Sequence, residues 1–329
     1  MNSKKVNELP ARYLSVAPMM EYTDRHDRYF LRLITKHTWL YTEMVTSNAL
    51  LHGDWERFLQ YNESEHPLAL QLGGSNPRDL AKCCELANQF NYDEVNLNVG
   101  CPSDRVKSGC FGASLMAEPE LVAQCVGAMQ EKSKVPVTVK CRLGIDNQDE
   151  YADLKNFIQI VKGGGCAIFI IHARKAWLQG LNPKENRDVP PLNYDIVHQI
   201  KAEFPELEII VNGGLKTLDD AKAELDFVDG AMIGREAYHN PYILASADAL
   251  FYNQQYRAPS RKEILERFLP YIEQQLSQGI NLTKISRHIL GLFQGVPGAK
   301  AWRRYISENA YKKGAGIEVI EKAQEFVLE

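Results

Sequence analysis

At 329 residues the chain is long for one ordinary domain but suits a barrel of about 250 residues with an extension. Its 45% hydrophobic and 24% charged residues exclude wholesale disorder, and seven cysteines without a CxxC pair exclude a disulfide framework or a zinc site. Net charge is −4, yet residues 251–329 carry 12 Lys+Arg against 8 Asp+Glu while the first 250 carry 26 against 34, so any polyanion is expected to dock mainly through the tail.

In chain order, short apolar runs alternate with helical patterns, which is how βα units read. Strands are expected at 14–17, 40–44, 68–72, 94–99, 137–141, 167–172, 208–212 and 228–233. Helices are expected at 25–35, 77–89, 119–131, 150–162, 194–204 and 218–225, with Pro77 and Pro119 where a first helical turn tolerates proline. Eight such repeats favour an α/β fold of the closed (β/α)8 TIM-barrel type over an open doubly wound sheet. From about residue 260 only amphipathic helical runs remain, such as 264–275 and 285–293, followed by the basic, aromatic run 300–305. The expected division is a barrel over 1–250 and a C-terminal helical domain over 251–329. The first residues are too polar for a secretory leader, and no apolar run reaches the roughly 18 residues of a membrane helix, which points to a cytoplasmic protein away from membranes. Neither a metal site nor an obligate protein partner is evident.

The carboxyl ends of barrel strands carry the chemistry in this fold. Those ends hold Ala17, Pro18, Met19 and Met20; Glu43; Gln71; Asn96 and Asn98 with Cys101; Lys140 with Arg142; His172 with Arg174; Asn212, Gly213 and Gly214; and Gly234 with Arg235. The glycines after strands seven and eight, with Arg235 as a bidentate partner, read as a phosphate site; alternatively they make tight turns. Lys140 reads as a fixed positive charge beside a flavin ring, as a Schiff-base amine, or as a lysine reaching solvent. Gln71 and His172 beside it favour a polar heterocycle. Cys101 lies in a loop with Gly100, Gly109 and Gly112, where a thiol can move over a substrate. Cys110 lies further from the strand end, and Cys83, Cys84, Cys125, Cys141 and Cys166 read as small buried hydrophobes.

Together, Ala17-Pro18-Met19, the run from Glu94 to Pro102 with Asn98-Val99-Gly100-Cys101-Pro102, Val137 to Lys140, His172-Ala173-Arg174, Val211 to Gly214 and Ile233-Gly234-Arg235 resemble tRNA-dihydrouridine synthases. The runs 172–180 and 183–187, with Gly291 to Gln294, resemble the A subfamily. The resemblance spans essentially the whole chain. It implies an FMN barrel with a helical tRNA-binding domain, oxidising NADPH and saturating the C5–C6 bond of a D-loop uridine at positions 20 and 20a of tRNA. It places FMN on Pro18, Met19, Met20, Gln71, Lys140, His172, Asn212, Gly213, Gly214, Gly234 and Arg235. Cys101 matches the general acid, Asn98 a tRNA-contacting position, and Lys184, Arg187, Lys300 and Arg303 the positions that orient tRNA.

The chemistry fits those residue types. No side chain supplies a hydride, so a flavin must, and the opposite face must deliver the proton. A thiol, with a reference value near 8.5, is largely protonated at neutral pH and can act as general acid. Asn98, His172 and Arg174 can bind the uracil edge, and a stacked base must flip out to reach a barrel mouth. Lys300, Arg303 and Arg304, interleaved with Trp302 and Tyr305, offer phosphate contacts and stacking surfaces, or else Trp302 packs in the helical core. The rivals are a flavin barrel acting on a small molecule such as dihydroorotate, a non-catalytic tRNA-binding protein, and an aldolase using Lys140.

Overall fold

The computed structural model describes residues 11–103, 111–252 and 255–327. Eight parallel strands form the barrel: β1 (Leu14–Val16), β2 in two pieces (Leu40–Tyr41 and Val45–Thr46), β3 (Leu68–Gly73), β4 (Glu94–Asn98), β5 (Val137–Arg142), β6 (Ile168–His172), β7 (Glu208–Asn212) and β8 (Gly230–Ile233). They pair in the order β1-β8-β7-β6-β5-β4-β3-β2. A parallel bridge between Ser15 and Trp39 closes the circle, with the Val16 N–H donating to the Trp39 carbonyl at 2.8 Å. The expected TIM barrel is therefore present.

The sequence makes this barrel through alternation. Outward positions such as Leu70, Val95, Val139, Phe169 and Val211 are apolar and pack under the helices. Inward positions split by height and side. Ile168, Ile170, Ile210 and Met232 fill one half of the interior with Ala17, Trp39, Tyr41 and Ala69. Gln71, Glu94, Asn96 and Thr138 are inward, buried and polar on the other half. β2 is expected as one strand but is broken at Thr42, whose hydroxyl accepts the Gln71 N–H at 3.0 Å in place of a ladder carbonyl.

The helix Arg25–Ile34 follows β1 and is the surface on which the C-terminal helices pack. Tyr29 stacks on Tyr271 at 3.9 Å, His26 Nδ1 meets the Tyr271 hydroxyl at 2.7 Å, and Asp24 pairs with Arg287 at 2.7 Å. Beyond residue 260 the long helix is Arg261–Ser277, while the run expected at 285–293 is a short helix, Leu282–Ser286, then a single 3-10 turn, Arg287–Ile289, and non-helical turns. Gly291 explains the break: a β-carbon there would stand 2.4 Å from the His239 carbonyl oxygen, so the chain must lie flat against the helix Arg235–His239. Further helices span Ala299–Asn309 and Glu318–Gln324. Among the described residues no helix is long and apolar enough to cross a membrane.

Candidate active site

Strand register sets the mouth of the barrel. Asn98 pairs with Lys140, Arg142 with His172, and His172 with Asn212, so the carboxyl ends of β4 to β7 lie side by side. Lys140 Nζ donates to Asn212 Oδ1 at 2.9 Å, and Asn212 Nδ2 donates to the Met232 carbonyl at 2.7 Å. Burial, with Arg142 nearby, lowers the Lys140 ammonium to about 8. Burial, then the charges of Arg142, Lys140, Arg174 and Arg187, holds His172 well below the usual imidazole range. The ring is therefore neutral, suited to a hydrogen bond with an uncharged heterocycle.

The turn after β7 has the shape that backbone contact with an anion requires. Gly213 and Gly214 sit at φ 111° and 72°, in the left-handed region that favours glycine. A β-carbon on Gly213 would fall 2.6 Å from His172 Cδ2, and one on Gly214 2.3 Å from a Leu192 methyl. The Tyr194 hydroxyl donates to the Gly213 carbonyl at 2.5 Å and pins this turn. Arg235, expected to hold a phosphate, has its fork on the Asp188 carboxylate, at 2.6 and 3.3 Å. Arg187 and Arg174 also act on that carboxylate and, after Arg235, help hold it below its ordinary range. Arg174 donates to the Pro190 carbonyl, and its buried Nε has no hydrogen-bond partner among the described residues. The glycine cradle and the neutral imidazole fit a flat cofactor ending in a phosphate.

Cys101 stands half-buried directly after β4. Its N–H and that of Gly100 donate to Asn98 Oδ1 at 3.0 and 3.1 Å, and its carbonyl accepts the Ala113 N–H at 2.9 Å. Its sulfur lies 3.6 Å from Ser103 Oγ. Arg142 reaches the same loop, donating from Nε to the Gly100 carbonyl at 2.8 Å and from Nη1 to the carbonyls of Lys175 and Asn186 at 3.0 Å. Lys140, Arg142 and Arg187 place their charges near Cys101. The thiols of Cys83, Cys84, Cys125, Cys141 and Cys166 are buried, and burial pushes each to about 12, as small core hydrophobes require. Cys110 and Gly109 lie outside the described residues.

The mouth thus brings together Gln71, Asn98, Cys101, Lys140, His172, Arg174, Arg187, Asn212, Gly213, Gly214 and Arg235. Pro18 and Met19 are half-buried after β1, and Met20 is 55% exposed beside a cavity of about 720 Å³ that Arg25, Arg57, Lys284 and Arg287 also line. Gly234 caps β8 with open space around its α-carbon. Lys184 is exposed in the loop after β6. Lys300 and Arg303 sit apart, on the helix Ala299–Asn309, where Arg303 donates to Gln294 Oε1 at 3.0 Å. Trp302 offers no stacking surface, which corrects one expectation. It is fully buried, edge-on to Phe293 at 4.8 Å, with its indole N–H on the Ile289 carbonyl.

Sequence reasoning gave no role to Asn186 or Asp188. Asn186 is fully buried and holds the loop after β6 by donating to the Trp177, Leu181 and Asn182 carbonyls. No local pattern marks it, whereas Asn96 follows the period-two rule of an inward strand face.

Residues 15–328 match the family model for dihydrouridine synthase (Dus). The chain belongs to the dihydrouridine synthase family. Membership makes it an oxidoreductase that forms dihydrouridine. It is 61% identical to the tRNA-dihydrouridine(20/20a) synthase of Vibrio parahaemolyticus, across 94% of this chain and 95% of that one. Against the enzymes of the same name from Shewanella oneidensis and Escherichia coli K12 the identities are 58% and 56%, each over 96% of this chain and over 94% and 91% of theirs. Among solved structures, morphinone reductase in complex with tetrahydroNAD is similar in fold at TM-score 0.50 and 13% identity, over 72% of this chain and 86% of that one.

Proposed function

We propose that this member of the family is a cytoplasmic, FMN-dependent and NADPH-linked enzyme that reduces the C5–C6 bond of D-loop uridines at positions 20 and 20a of tRNA. The observation that carries this reading is Cys101, set on the same strand ends as Lys140, His172 and the glycine cradle. A thiol proton source and a cofactor cradle in one mouth are what reduction of a carbon–carbon double bond needs.

Pro18, Met19, Met20, Gln71, Lys140 and His172 would hold the flavin ring, and Asn212, Gly213, Gly214, Gly234 and Arg235 its phosphate. Flavin held there would supply the hydride that reduction of the uracil C5–C6 bond needs. Asn98 and Arg174 orient the uracil edge, with the loop after β6 closing over it through Arg187. As charge develops on the uracil, the neighbouring Lys140, Arg142 and Arg187 stabilise it. The Cys101 sulfur releases its proton to C5 and is reprotonated from solvent before the next cycle. Lys184, Arg187, Lys300 and Arg303 take the tRNA backbone, with residues from about 251 onward serving as the docking domain.

The test is direct. The purified protein, loaded with FMN and given NADPH, should convert uridine to dihydrouridine at 20 and 20a in tRNA from a strain lacking the modification, read by mass spectrometry of nuclease fragments. Reduction of free uridine or orotate at the same rate as tRNA would overturn the assignment.

A further inference from the structure

β4 has a polar residue at every second position, Glu94, Asn96 and Asn98, all facing into the barrel and buried. Their neighbours across the sheet, Gln71 on β3 and Thr138 on β5, complete a ladder of hydrogen bonds beneath Cys101. Thr138 Oγ1 donates to Glu94 Oε1 at 2.6 Å, and Asn96 Nδ2 donates to Thr138 Oγ1 at 2.7 Å. Gln71 Nε2 donates to Asn96 Oδ1 at 2.8 Å, and Asn98 Nδ2 donates to Gln71 Oε1 at 2.8 Å. Asn98 Oδ1 then accepts from the backbone N–H of Gly100 and Cys101.

The direction of this ladder is not arbitrary. An ionised carboxylate only accepts, and Glu94 is bound to Arg12 at 2.9 Å, so Thr138 must donate to it. A hydroxyl whose proton is committed can only accept, so Asn96 must turn its NH2 group toward Thr138. Asn96 then offers oxygen to Gln71, Gln71 offers oxygen to Asn98, and Asn98 offers oxygen to the Cys101 loop. The upper end demands the same order independently, because backbone N–H groups only donate. Both ends agree on one arrangement, and reversing any link would strand a buried polar group.

We propose that Glu94, Thr138, Asn96 and Gln71 act as positioning residues, a one-way hydrogen-bond chain that carries the orientation set by the Glu94 carboxylate to Asn98 and so fixes the Cys101 loop. This rests on the reading of Cys101 as proton donor. Thr138 is the link to cut, because it lies below the mouth and touches neither thiol nor cradle.

In the FMN-loaded enzyme, Thr138→Val removes the hydroxyl and frees both amides above it to turn. Single-turnover oxidation of the reduced enzyme by tRNA should then slow about 10-fold, the worth of roughly one lost link, while flavin reduction by NADPH changes less than about 2-fold. Alkylation of Cys101 by iodoacetamide, read on its own peptide, should rise severalfold as the loop loses its anchor. Thr138→Ser, which keeps the hydroxyl, should restore both readouts. Wild-type alkylation and tRNA oxidation in Thr138→Val, or equal damage in Thr138→Ser, would overturn the chain. If Thr138→Val does not fold, Asn96→Ala cuts the next link and must give the same two changes. Should Cys101→Ala keep full turnover, the proton-donor reading fails, while the alkylation result still decides whether the chain holds the loop.

Discussion

The two ends of this barrel use similar side chains for opposite ends. At the amino-terminal end Arg12 spans Glu94 at 2.9 Å and Glu208 at 3.3 Å while lying 4.1 Å over the Trp39 ring, and Lys201 is held by Asp229 and two carbonyls. A hollow of about 680 Å³ opens there too, so size alone does not mark a site. Its charges are matched with one another, as a structural plug requires. At the carboxyl end the charges are less evenly matched: Arg174, Arg187 and Arg235 gather around the Asp188 carboxylate, Lys140 donates to the neutral Asn212 amide and Arg142 to backbone carbonyls, and Arg174 Nε has no hydrogen-bond partner among the described residues. Unbalanced charge at one end and balanced charge at the other separate a binding face from a stabilising one.

Breaking the plug should give the largest loss of stability. Arg12→Met leaves Glu94 buried without its partner and should cost about 3 kcal/mol in urea unfolding, with flavin reduction per folded molecule unchanged. At the mouth, Lys140→Met should leave the fold intact but slow NADPH-driven flavin reduction about 100-fold in stopped flow, a loss typical of one aimed charge. The pH dependence sharpens this contrast. Lys140 loses its proton as pH rises through about 8, and an anionic ligand raises that value. Affinity for reduced FMN should therefore fall between pH 7 and 9 in the wild type and stay flat in Lys140→Met. Gly213→Ala, with its β-carbon against His172, should weaken FMN binding about 10-fold by fluorescence titration. Smallest of all, Lys300→Glu or Arg303→Glu should raise the tRNA KM severalfold and flatten its salt dependence, leaving flavin reduction untouched.

Most of the barrel was legible because inward and outward positions alternate and glycine or proline punctuates the loops. The candidate residues at the mouth followed from strand-end position alone, so Gln71, Asn98, Cys101, Lys140 and His172 could be gathered before any coordinates. What escaped depends on contacts far apart in sequence. The break in β2 comes from Thr42 bonding across to Gln71. The fork of Arg235 on Asp188 joins residues 47 positions apart. Trp302 reads the same whether it stacks on a base or fills a core, and only its packing on Phe293 decides. The short helix Leu282–Ser286 carries an apolar pattern that runs on into turns, because Gly291 must meet His239.

The central claim concerns Cys101, and a two-step experiment on Cys101→Ala tests it most directly. Stopped flow should show the bound flavin reduced by NADPH at the wild-type rate, followed by oxidation with tRNA slowed by at least about 100-fold, the scale of general acid catalysis. Oxidation by tRNA at the wild-type rate, with dihydrouridine formed in stoichiometric yield, would contradict the account.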